Sequence, residues 1–171
     1  MFARLLLIAM LLFIFYQDLR YRAVYWVIFP MLSALLIFLS TQQHTFANFM
    51  VNSGYNMAFL LVQFLLLAVY FSVRAGTIVN ITSGYLGWGD ILFLLCIAFY
   101  LSPINYFVFY ILSLLLVLML VLISTSLSKR SKTIPLAGLQ AFLFALVFIA
   151  DWYIDVFNIT NDYWLLTYLR L

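Results

Sequence analysis

Six apolar runs fill most of this chain, at about 1–16, 23–40, 57–73, 91–101, 106–125 and 134–150. Roughly 20 apolar residues in a helix cross a bilayer, and fewer serve where a helix stops partway. Backbone inside lipid must satisfy its own hydrogen bonds, which makes each run a helix. The expected fold is all-α, a polytopic membrane protein of about six transmembrane helices with the fourth shortest. Charged residues make up only 8% of the 171 and hydrophobic ones 68%, too little charge to cover a soluble domain. The chain therefore divides into a six-helix core over 1–150 and a tail over 151–171. The first run ends in Tyr-Gln-Asp rather than a small-residue cleavage site, so it reads as a retained span.

Charge distribution orients the spans. Arg20 and Arg22 follow the first, Arg74 the third, and Lys129, Arg130 and Lys132 the fifth. By the positive-inside rule those loops are cytoplasmic, which puts both the N-terminus and the C-terminus on the outer side. Arg4 and Arg170 are the only basic residues on the other side. A net charge of +3 is modest, and its placement fixes orientation rather than pointing to nucleic acid. In the tail, Trp152, Tyr153, Trp164 and Tyr168 suit an interfacial aromatic belt along the outer surface.

The chain has no glutamate and five aspartates. Asp151, Asp155 and Asp162 belong to the tail, whereas Asp18 and Asp90 both fall on the cytoplasmic side of the spans. The eleven residues of the fourth run rise about 16 Å, against a hydrocarbon core about 30 Å thick, so Asp90 lies in the inner half of the bilayer. An ionisable group there is costly and reads as functional by default. Asp18 has a bland alternative in pairing with Arg20 or Arg22. Asp90 has no basic residue within fifteen positions on either side and needs a partner from elsewhere. The two meet if the first and fourth spans are neighbours.

Two carboxyls in a poorly solvated site cannot both ionise easily, so one stays anionic while the other keeps its proton. The anion can take a proton from water attacking a peptide carbonyl, and the acid can donate to that carbonyl oxygen. This is aspartyl proteolysis, without metal or cofactor. Rival mechanisms lack residues. His44 is the only histidine and lies in an outer loop, so a zinc peptidase has no ligand set. A serine mechanism lacks both Gly-x-Ser-x-Gly and a base on the right side. Cys96, the single cysteine, sits mid-span as a packing residue. Gly87 and Gly89 flank Asp90 at the end of a glycine-rich loop from Gly76, where they permit positive φ and close backbone approach.

Three stretches then match a known family. "DLRYRAVYW", Asp18 to Trp26, resembles the Asp-x-Arg-x-Arg segment of type IV prepilin peptidases. "GWGD", Gly87 to Asp90, resembles their Gly-x-Gly-Asp motif, shared with presenilin-like intramembrane aspartyl proteases. "KTIPLAGLQAFLFAL", Lys132 to Leu146, resembles the Ile-Pro-x-Gly-Pro stretch that begins the last core span. The resemblance implies catalytic roles for Asp18 and Asp90, positioning by Gly87 and Gly89, and a six-helix core in the cytoplasmic (inner) membrane. It also implies a substrate, a single-span pilin-like precursor with a short basic leader. Arg20 and Arg22 would meet lipid phosphates or substrate. The chain departs from the pattern at Val24-Tyr25-Trp26, at Leu92 in place of a common lysine, and at Gly138, one place later than usual. The Cys-x-x-Cys segment associated with methylation in longer members is missing, so peptidase without methyltransferase activity is expected. The competing expectations are a non-catalytic homologue and a proton or cation carrier using the same aspartates. No acidic residue in the second, third, fifth or sixth span supplies a carrier's path.

Overall fold

The computed structural model describes residues 1–77, 87–127, 136–153 and 158–163. Most of the glycine-rich loop (78–86), the third basic loop with Lys129, Arg130 and Lys132, and Asp155, Trp164 and Tyr168 of the tail lie outside the described residues. The described residues form six α-helices: α1 (Phe2–Tyr21), α2 (Ile28–Gln43), α3 (Phe46–Ala75), α4 (Trp88–Ile97), α5 (Pro103–Leu127) and α6 (Leu136–Tyr153). Four of them contain apolar stretches long enough to cross a membrane, and α2 and α4 are shorter apolar helices. The protein is an all-α, multi-pass membrane protein.

Helix α6 forms the centre. It packs most extensively on α1 and also touches α4 and α5; α2 leans on α1 and α4, and α3 on α5, α2 and α4. Small residues permit this crowding. Ala137, Ala141 and Ala145 repeat every fourth position on the buried face of α6, with Gly138 beside them. In lipid, where apolar contact has no solvent drive, such a stripe brings helix backbones close. Around Phe144 the rings of Phe93, Tyr100, Phe109 and Phe148 fill the middle of the core. The outward faces of α3 and α5 carry exposed Leu61, Leu65, Leu66, Leu115, Leu116 and Leu118, as a lipid-facing surface should.

The ends of the elements have local causes. Pro103 opens α5, where a missing N–H costs nothing. Pro30 sits in the first turn of α2, for the same reason. Gly76 closes α3 in the left-handed region, φ 66°. Helix α4, at ten residues about 15 Å long, ends in buried surroundings at Ala98. Its last carbonyls accept N–H groups of the turn that follows, and the Asn56 side chain of α3 donates to the carbonyls of that turn at Ala98 (2.9 Å) and Leu101 (2.8 Å).

Asn56 also explains where the third helix begins. The run of apolar residues starts at 57, yet α3 starts at Phe46. Its first turns carry Ser53 and Asn56, polar side chains that face inward and are buried. Polarity there serves tertiary contacts rather than a loop. In the tail, residues 158–163 do more than follow a surface: Ile159 and Thr160 are buried against the end of the bundle.

Candidate functional site

The end of the bundle where α1 finishes and α6 begins holds both of the aspartates singled out from the sequence. Asp18 lies in the last turn of α1, on the buried stripe that runs through Leu7, Leu11, Ile14 and Gln17. Its helix stops three residues later. Arg22 caps it in the left-handed conformation, φ 53°, with its N–H donating to the Asp18 carbonyl at 2.9 Å. The next turn folds back, and the Tyr25 N–H donates to the Gln17 side chain at 3.3 Å. Asp18 is thereby held 7% exposed in spite of standing near a helix end.

Its carboxylate is held by the start of α6: the Gly138 N–H, in the first turn of that helix, donates to Asp18 Oδ2 at 2.6 Å. Arg20 lies over the ring of Tyr21, 5.8 Å from its centroid. The first four N–H groups of any helix lack intrahelical partners, and a carboxylate suits that positive end.

Asp90 is the third residue of α4, whose N-cap is Gly87. Asp90 Oδ2 accepts the Gly87 N–H at 3.3 Å, which is half of a capping box; glycine has no side chain with which to return the bond. The backbone amide of Ala137 in α6 interacts with the same carboxylate. Consecutive residues at the start of α6, Ala137 and Gly138, therefore face the two aspartates, one each. Asp18 is near enough to Asp90 for the two carboxyl groups to interact. Among the described residues no hydrogen bond joins the two carboxyl groups directly.

The route by which they meet differs from the expected one. Helices α1 and α4 have no extensive packing of their own; α6 and α2 each pack against both and carry the two aspartates to one place. The glycines also differ in role from the expectation. Neither Gly87 nor Gly89 has positive φ: Gly87 is extended, at φ −70°. Close approach does hold at Gly87, where an added Cβ would lie 3.0 Å from Asp90 Oδ2. At Gly89 it does not, because a Cβ would make ordinary contacts with Ala137 and Phe29 at 3.8 and 3.9 Å. The tightest glycine is Gly138, whose added Cβ would lie 2.8 Å from Asp18 Cβ. In the sequence it stood only as part of a motif displaced by one place, and nothing local marked it as the neighbour of Asp18.

Other chemistry-bearing residues lie elsewhere. His44 caps the far end of α2, at the end of the bundle opposite Asp18. Cys96 is buried in α4, accepting from Ser33 Oγ at 3.1 Å and donating to the Phe29 carbonyl at 3.3 Å. No group of three or more His, Cys, Asp or Glu able to hold a metal occurs among the described residues. Comparison with protein-family models, with curated proteins and with solved structures finds no match to the chain.

Proposed function

We propose that the chain is a membrane-embedded aspartic endopeptidase that removes the basic leader of a single-span, type IV pilin-like precursor. The observation that carries this reading is the convergence of Asp18 and Asp90, 72 positions apart in an otherwise apolar chain, on the first turn of α6. Arg20, Arg22 and Arg74 end α1 and α3 and support a cytoplasmic orientation for the aspartate end. With that orientation all six helices cross or enter the membrane, both termini lie outside, and the site opens at the inner face of the cytoplasmic membrane.

In the proposed mechanism one carboxylate takes a proton from a water molecule as its oxygen attacks the scissile carbonyl carbon. The partner, protonated, donates to the carbonyl oxygen, and collapse of the tetrahedral species passes a proton to the leaving amine. Water is added across the C–N bond, and no cofactor takes part. The pairing of the carboxyls is what makes opposite protonation states accessible at once. Above the pair, Leu11, Ile14, Phe93, Ile97 and Phe144 are fully buried apolar residues, an arrangement that favours local chemistry over passage of ions.

The test is cleavage of a pilin-like precursor in liposomes containing the purified protein. Asp18→Asn and Asp90→Asn should each lower the rate by at least about 100-fold, the usual range for loss of acid–base catalysis, with the variants still folded. Cleavage at an undiminished rate in either variant overturns the mechanism.

A further inference from the structure

Gly138 meets Asp18 more closely than a residue with a side chain allows. A Cβ at this position would lie 2.8 Å from Asp18 Cβ, 3.0 Å from Oδ2 and 3.3 Å from Cγ. The first of these is decisive, because a Cβ is fixed to its backbone and cannot swing aside as the end of a long side chain can. Any substitution therefore pushes α1 and α6 apart. Backbone conformation does not demand glycine here, since Gly76 is the only described glycine with positive φ. Glycine is also a poor helix residue. Space is the reason left, and the space is used: the helices approach until the Gly138 N–H reaches Asp18 Oδ2 at 2.6 Å, joining residues 120 positions apart.

We infer that Gly138 is the positioning residue of the carboxylate pair, its amide fixing Asp18 through Oδ2 and its missing side chain making that bond possible. A backbone N–H donating to a carboxylate is a charge-assisted hydrogen bond, stronger than one between neutral groups. The catalytic part of this rests on the peptidase reading; the positioning part does not.

The experiment compares Gly138→Ala with wild type and with Gly54→Ala, whose added methyl meets nothing within 4 Å. Precursor cleavage in liposomes gives kcat and KM. Labelling by a hydrophobic carbodiimide, followed by mass spectrometry, gives the modification rate of Asp18 without reference to activity. Gly138→Ala should lower kcat at least tenfold with KM within twofold, and raise Asp18 labelling at least threefold, while Gly54→Ala changes neither. Should Gly138→Ala fail to fold, Asp18→Gly in the same chain removes the opposing Cβ and should restore the melting temperature. Unchanged kcat and labelling in folded Gly138→Ala overturn the inference, as does absence of rescue in the double variant. Altered labelling together with a wild type that cleaves no precursor retires the peptidase reading and leaves Gly138 as the residue that positions Asp18.

Discussion

Where α6 finishes, Asp151 accepts the Ile159 N–H at 2.9 Å and Asp162 accepts the Ser102 hydroxyl. Where α6 begins, Asp18 and Asp90 each take a backbone amide of its first turn and lie within electrostatic reach. The first pair sits in a dense polar network. Asn105 donates to Ser102 and to the carbonyls of Asn158, Ile159 and Asn161, and Thr160 donates to Gln43. Among the described residues, the partners of the second pair are backbone N–H groups at two helix starts, Gly138 for Asp18 and Gly87 for Asp90. Carboxylates of the same residue type thus fasten a polar network at one end and converge on the start of α6 at the other.

The sharpest way to break this contrast is to neutralise one carboxylate at each end. Asp18→Asn should remove cleavage by at least about 100-fold, whereas Asp151→Asn should leave the rate within about twofold and lower the melting temperature instead. Equal losses of activity at both ends would erase the distinction. Stability should respond most at the fastened end. Asn105→Leu removes the donor shared by Ser102 and the Asn158, Ile159 and Asn161 carbonyls, and Asn56→Leu removes the side-chain donor to the Ala98 and Leu101 carbonyls; each should cost about 2–3 kcal/mol in thermal unfolding, with activity per folded molecule retained. At the aspartate end, Gly87→Ala crowds only the mobile end of Asp90, so it should cost about 1 kcal/mol and slow cleavage several-fold. The smallest effect belongs to Gly54→Ala, a gain of up to about 1 kcal/mol from helix propensity alone.

Much of the candidate site is legible because a carboxylate in an apolar span is conspicuous. Asp18 and Asp90 stand out by cost alone, and the charge of Arg20, Arg22 and Arg74 marks the end at which they lie. The amide partners are not legible. Gly138 and Ala137 act through backbone N–H groups, which every residue but proline carries, so no side-chain type announces them. The glycines beside Asp90 drew attention by being its neighbours in sequence, whereas the tight contact is made by a glycine 120 positions from Asp18. Polar residues mislead in the other direction. Ser53 and Asn56 resemble loop residues until Asn56 is seen closing the end of α4.

By itself the sequence determined that this protein is helical and lives in a membrane, since apolar runs of that length admit nothing else once backbone hydrogen bonds must be met without water. It also determined that two carboxylates lie where burial is expensive. Only the tertiary structure decided how those carboxylates meet, through α6 rather than by direct packing of α1 on α4. The reason is that close approach depends on the shape of the facing helix, and the small residues at the start of α6 provide it. Order along the chain carries no record of which backbone will come within reach of which side chain.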